Sequence, residues 1–324
     1  MTTKFMQNLF VKMKTVNRPD KDAITAPRAD ITVEQYMTRL KKLNDDKTFT
    51  SLTFLKDKDA ITAKLNKLVI STRSSYYNAI IIALATVATH KKLMSKYRDD
   101  ATGVWDTLKE TAKSHEKNEK QTESIIPMDE VNKIKSELFE EVKVLIPKKK
   151  ITEAEYNKYL QFIILSLYTD IPPRRNQDYA CMVIRKTRPA EMDKEKNYFI
   201  TSEKKFVFNK YKTASKYDTQ EVDVPDELMG KLLAYMKHRS DIGTVKKAKE
   251  HTEVPLLMNY DGTEPNKVNF ITRTLNKVFG KNIGATALRH IYLSDKYADN
   301  EKEKEKDADA MAHSTSLQSQ YIKY

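Results

Sequence analysis

A single cysteine, Cys181, stands in the whole sequence. It excludes an intrachain disulfide and any cysteine-built metal site, and it points to a reducing compartment, the cytosol or the nucleus. Glycine is scarce too, with six residues, and no GxxxxGK[ST] phosphate loop occurs. No carboxylates cluster at metal-ligand spacing, so the usual Mg²⁺-dependent routes to phosphate chemistry have no visible footing. The longest apolar run, Ala79 to Ala88, is interrupted by Thr86. It falls well short of the roughly 20 residues of a spanning helix. Met1 to Lys14 has neither a sustained apolar core nor a small-residue cleavage site, so no signal peptide is expected.

Positive charge, by contrast, is plentiful. Lys and Arg number 58 against 45 Asp and Glu, a formal net charge of +13 with a pI near 9.3. Such an excess favours a polyanionic partner through phosphate contacts and counterion release. Alone it does not separate DNA from RNA or an anionic membrane. The length of 324 residues, 40% of them hydrophobic, suits two domains with proper cores.

Four regions are expected. Residues 1–28 read as a basic N-terminal arm with little periodicity, and residues 29–112 as a helical domain. Within it Thr32 and Gln35 suggest a capping box. Val33, Tyr36, Met37, Leu40 and Leu43 then share one helical face. Further helices are expected around Ile61 to Leu68, from Tyr76 to Met94, and from Gly103 to Ala112. Residues 113–126 are mostly polar and read as a linker. Residues 127–324 form the second domain, with helices over Val131–Leu145 and Thr152–Tyr168, the latter opened by a Thr152/Glu155 capping box. Strands are expected at Tyr198–Thr201, Lys205–Tyr211 and Glu221–Val224, the last two paired as a hairpin. Helices then follow over Glu227–His238, Asn266–Val278 and Gly284–Tyr297, with a final element from Asp307. The charged run 301–310 reads as a solvated loop entering that element. The fold class is mainly α with a small antiparallel β-sheet.

Without a metal, phosphoryl transfer needs cations on the phosphate oxygens, a nucleophile and an acid for the leaving group. The C-terminal half supplies such groups in order. Arg175 follows a helix and a Pro-Pro turn, and Lys212 lies on the expected hairpin. Arg289 lies in TALRHIYLS, His313 in MAHS, and Tyr321 comes shortly after.

The segments LRHIYLS and MAHSTSLQSQY resemble the last two sequence boxes of the tyrosine recombinases. SLYTDIPPRRNQDY resembles the box that carries the first catalytic arginine of that family. YKTASKYDTQEVDVP resembles the β-hairpin that carries its lysine. The PPRR form and the Lys-rich, Gly-poor style are similar to the integrases of virophages and related DNA-virus elements. The sequence departs from the family pattern at Thr286, where His or Lys is usual three residues before the second arginine. It departs again at Ala312, in place of the glycine before the second histidine, and at Asp170-Ile171-Pro172-Pro173, in place of a Thr-Gly-Leu-Arg turn.

The resemblance implies a two-domain DNA clamp, with residues 29–112 as the core-binding domain and 127–324 as the catalytic domain. It implies that Arg175 and Arg289 hold the scissile phosphate, that Lys212 protonates the leaving 5′-oxygen, and that His313 assists. Tyr321 would attack to give a 3′-phosphotyrosine. No cofactor is implied, neither metal nor ATP, because the bond energy stays in the phosphotyrosine. The expected partner is double-stranded DNA, bound by a protein monomeric in solution and tetrameric on paired sites, inside the host cytoplasm or nucleus. Only Ile322, Lys323 and Tyr324 follow Tyr321 in this sequence. Any tetramer is therefore expected to be held by surfaces other than a C-terminal helix, whose single turn takes about 3.6 residues. Two alternatives share these residues: a type IB topoisomerase-like enzyme, and a DNA-binding protein with a decayed active site, which Thr286 suggests.

Overall fold

The fold is described from a computed structural model, which covers residues 2–17, 27–113, 117, 119–180, 182–239, 254–265 and 269–310. The chain divides into two compact units, Met1–Glu116 and Lys117–Tyr324. No helix among the described residues is long and apolar enough to cross a membrane.

The first unit contains α1 (Lys4–Thr15), α2 (Asp30–Leu43), α3 (Lys58–Asn66), α4 (Ile70–Ala85) and α5 (Lys91–Lys113). Helix α1 corrects the expectation of a basic arm over 1–28. Its Met6, Leu9 and Met13 fall at i, i+3 and i+7 and are buried in the core of the unit, while its lysines keep to the other face. Thr3 caps the first turn by accepting from the Met6 amide. Arg28 donates to the carbonyls of Met13 and Val16 at 2.9 and 2.6 Å, a cation on the helix's negative end. Helix α2 starts two residues before the expected Thr32/Gln35 cap, with no side-chain capping bond, yet its Val33, Met37, Leu40 and Leu43 are buried as their spacing requires. Helix α4 is buried on nearly every side from Tyr76 to Leu84 and forms the centre of this unit. The expected helix from Tyr76 to Met94 is broken at Thr86. The Thr86 hydroxyl bonds back to the Ala83 carbonyl at 2.7 Å, and a 3₁₀ turn at Ala88–His90 redirects the chain into α5.

The second unit runs α6 (Glu119–Ser124), α7 (Met128–Lys143), α8 (Glu153–Thr169), α9 (Asn176–Ala180), β1 (Met182–Arg185), β2 (Asn197–Ile200), β3 (Lys205–Phe208), α10 (Ala214–Tyr217), β4 (Gln220–Asp223), α11 (Asp226–Lys237), β5 (Val254–Pro255), α12 (Asn269–Phe279) and α13 (Ala285–Ala310). It is mainly helical with one small sheet, in the order β4-β3-β2-β1-β5. The expected hairpin is β3–β4, paired Lys205 with Asp223 through Phe208 with Gln220. The sheet is mixed where a wholly antiparallel one was expected, because β1 lies parallel to β2. Strand β1 has no alternating pattern to announce it: Met182 and Ile184 are buried, and Arg185 beside them is buried too.

Helix α8 is the centre of this unit, buried continuously from Tyr159 to Tyr168 and packed by α7, α11 and α12. The Thr152/Glu155 capping box opens it as expected. Its last turn ends on Asp170, whose buried carboxylate takes Lys135 of α7 and, at 2.8 Å, Lys231 of α11. Helix α13 is a single 26-residue element through residues 301–310, where a loop was expected. Glu, Lys and Ala are strong helix formers, no Gly or Pro intervenes, and Lys302–Asp299 and Lys304–Glu301 pair along the helix surface.

The capping box gives a direct check. Thr152→Ala is expected to lower unfolding stability by about 1 kcal/mol, read from urea midpoints at pH 7. Hydrogen bonds from Lys148 and from the Thr152 amide hold the Glu155 carboxyl down to about 2. Its folded value lies below its unfolded one, so its stabilisation is present above the ordinary glutamate range and is lost as pH falls toward 2. The destabilisation caused by Glu155→Gln should therefore shrink steadily between pH 5 and pH 3, and a pH-independent effect would contradict it.

Candidate active site

Arginines 174 and 175 lie between α8 and α9, just after Pro172 and Pro173. The prolines lack backbone donors and stop the helix, which leaves both arginines outside it. The two side chains have opposite fates.

Arg174 is committed to the fold. Its Nε bonds Asp178 Oδ2 at 2.9 Å, and its Nη1 donates to Gln220 Oε1 at 2.9 Å. Its guanidinium carbon stands 3.8 Å from the centre of the Phe208 ring and 5.2 Å from that of Tyr211. Asp178 is only 2% exposed. Burial pushes its carboxyl above the usual aspartate range, and Arg174 opposes that rise. Asp178 Oδ1 has no hydrogen-bond partner among the described residues.

Arg175 is half-buried, and its guanidinium has no hydrogen bond or ion pair among the described residues. The same holds for Arg289, on the second turn of α13. The fold brings both to one cleft of about 480 Å³, whose walls include Arg174, Asp178, Tyr211 and Thr213. Two free, permanently charged forks facing one cavity form an anion site, and planar guanidinium geometry suits a phosphate.

Lys212 follows β3. It is exposed, while its neighbours Tyr211 and Thr213 line the cleft. The surrounding lysines are more committed. Lys204 pairs with Asp226, Lys205 with Glu221, and Lys210 with Glu195, at 2.6, 3.2 and 2.6 Å. Lys212 has no such partner among the described residues, and Lys216 has only the Tyr217 ring, 5.0 Å away. Thr286 is exposed one turn before Arg289 and lines a second cleft beside it, as does His290. His313 and Tyr321 lie outside the described residues.

Asn197, at the start of β2, is a residue that sequence reasoning missed. It is fully buried. Its Nδ2 donates to the Asp178 and Lys210 carbonyls, both at 2.9 Å, and its Oδ1 accepts from the Asn209 and Lys210 amides. One side chain thus fixes α9, which follows Arg175, to the turn that leads to Lys212. Asn176 does similar work: it accepts from the Tyr168 hydroxyl at 2.8 Å and donates to Thr272 Oγ1 at 2.7 Å. Gly284 lets the start of α13 approach that same Thr272, since a Cβ there would lie 3.3 Å from its methyl. The only advance signal was an asparagine at the edge of an apolar strand, which is too common to read. Among the described residues no three His, Cys, Asp or Glu side chains gather as a metal site.

No family model, curated protein or solved structure matches this chain.

The division between the two arginines can be measured. Arg174→Ala leaves a buried carboxylate uncompensated and is expected to cost about 3 kcal/mol of stability. Arg175→Ala removes no partner and should stay within about 0.5 kcal/mol of the parent. Because the folded Asp178 holds its proton more tightly than the unfolded one, acid favours the folded state at this group, and the Arg174→Ala deficit should narrow as pH falls. Urea unfolding at pH 7 and pH 4 reads both effects, and equal losses for the two variants would overturn the assignment.

Proposed function

We propose that the protein is a DNA strand transferase of the tyrosine-recombinase kind, an integrase that cuts and rejoins double-stranded DNA through a 3′-phosphotyrosine. One observation carries this reading: Arg175 and Arg289, far apart in sequence, line one cleft with guanidiniums that make no hydrogen bond or ion pair among the described residues. A scissile phosphate between them would have its non-bridging oxygens forked from two sides. The charge that develops in the transition state would then be met without a metal. Lys212, beside the cleft, is proposed as the general acid for the departing 5′-oxygen. His313 is proposed to assist at the phosphate, and the Tyr321 hydroxyl to attack phosphorus. The phosphotyrosine formed conserves the broken bond, and the freed 5′-hydroxyl of a second strand reverses the reaction. Net charge of +13 supplies the long-range attraction to DNA. We further propose that the protein works inside the cell, as a monomer that assembles into a tetramer on paired sites.

The test is covalent trapping on a nicked duplex in excess EDTA. Parent protein and Tyr324→Phe should form the adduct. Tyr321→Phe, Arg175→Ala and Arg289→Ala should form none, while all five proteins retain DNA binding. An adduct surviving in Tyr321→Phe, or one that appears only with Mg²⁺, refutes the mechanism. Plasmid relaxation without strand exchange would instead mark a topoisomerase.

Lys212→Ala is expected to slow cleavage of ordinary DNA about 10²- to 10⁴-fold. A 5′-phosphorothiolate, whose sulfur leaves without protonation, should restore most of that rate. A defect that persists with sulfur would move the acid to Lys216.

A further inference from the structure

Arg175 and Arg289 do not close off one cleft. They line two, and the second has a volume of about 600 Å³. The two cavities differ in chemistry. The first has the Arg174–Asp178 ion pair in its wall and Lys212 beside it. The second has no acidic side chain and no lysine in its lining. Away from the two arginines its polar groups are carboxamides, hydroxyls and one imidazole: Asn176, Gln177 and Asn282 with Gln121, the hydroxyls of Ser124, Thr272 and Thr286, and His290.

Part of this wall is fixed and part is free. Asn176 and Thr272 are bonded to each other, and Gly284 allows the close approach behind them. Gln177 has no hydrogen bond among the described residues. Asn282 accepts from Asn276 Nδ2 at 3.2 Å, which leaves its own amide hydrogens without a partner among the described residues. Two open carboxamides on a rigid floor, next to a pair of phosphate-binding forks, form a nucleotide-sized recess. A phosphate held by the two arginines would bring a neighbouring nucleoside within reach of these amides. A carboxamide offers a donor and an acceptor side by side, and adenine's N7 and N6 amino group present the matching pair. The other bases match it less well: guanine shows two acceptors on that edge, which a guanidinium suits better.

We propose that the second cleft receives the base next to the scissile phosphate, and that Gln177, supported by Asn282, selects adenine there. The proposal rests on the strand-transfer reading above and adds to it a sequence-reading subsite.

The experiment measures single-turnover adduct formation on nicked duplexes. Each of the two nucleotides flanking the cleaved phosphate is varied through the four bases and 7-deazaadenine. Parent protein should prefer adenine at one flanking position by about ten- to hundredfold. It should lose most of that preference with 7-deazaadenine, which lacks the N7 acceptor. Gln177→Ala should form adduct with all four bases within about threefold of one another. It should do so at a rate near that of the parent on its worst base, with unchanged affinity for unrelated duplex. Asn282→Ala should weaken the preference without erasing it. If no substrate gives an adduct with parent protein, the strand-transfer reading fails and the subsite falls with it. If adducts form but with equal ease for every base, with a preference for guanine, or with an adenine preference that survives Gln177→Ala, the subsite is wrong and strand transfer stands.

Discussion

The Asp178 carboxylate is taken out of water and hydrogen-bonded by one guanidinium, that of Arg174, and the cleft side of the second unit is arranged around that pairing. Arg174 reaches Asp178 on α9, Gln220 on β4 and the faces of Phe208 and Tyr211. One side chain therefore joins the helix after the Pro-Pro turn to two strands of the sheet. An isolated carboxylate at this depth would be costly, and so would an isolated arginine. Each exists because the other does. The arrangement also decides what Arg175 is free to do: the nearby acidic partner is already taken.

The segment from Asp170 to Asp178 is anchored at both ends by charge. Lys135 and Lys231 hold Asp170, and Arg174 holds Asp178. Between the anchors the chain has little freedom, since two prolines fix two of its backbone torsions. The free arginine is thus presented from a short, stiff strap. Asn197 extends the same rigidity to the turn before Lys212. Pre-organisation of this kind keeps cations in place before any anion arrives, which is the condition under which they stabilise developing charge most.

Much of this was legible in the sequence, and the parts that were not share a cause. Thr152 and Glu155 act within four residues of one another, so their capping box could be read directly. The β3–β4 hairpin followed from two strand-like segments joined by a polar loop. The pairing of Arg175 with Arg289 was legible only through family-like segments, because nothing local joins positions so far apart. By spacing Asp178 could pair with either arginine, and it pairs with Arg174, at the i, i+4 spacing. Stacking on Phe208 from another strand settles that choice, and such a contact leaves no mark in a linear pattern. Strand β1 lacked a period because consecutive residues are buried. Helix α1 was mistaken for an arm because its lysines drew attention away from Met6, Leu9 and Met13. The run 301–310 shows the opposite error, in which uniform charge hid high helix propensity.

The i, i+4 relation between Arg174 and Asp178 also acts as a gauge of chain length. Insert one residue between Arg175 and Asn176, and it is Arg175 that falls four positions before the aspartate. The ion pair could then pass to the second arginine, releasing the first, so that Arg175 would no longer stand beside Arg289 as a free cation although no charged residue is lost. Composition in this stretch can drift as long as spacing does not. In chains built on the same plan, insertions and deletions should be absent between the prolines and α9 even where the identities around them vary.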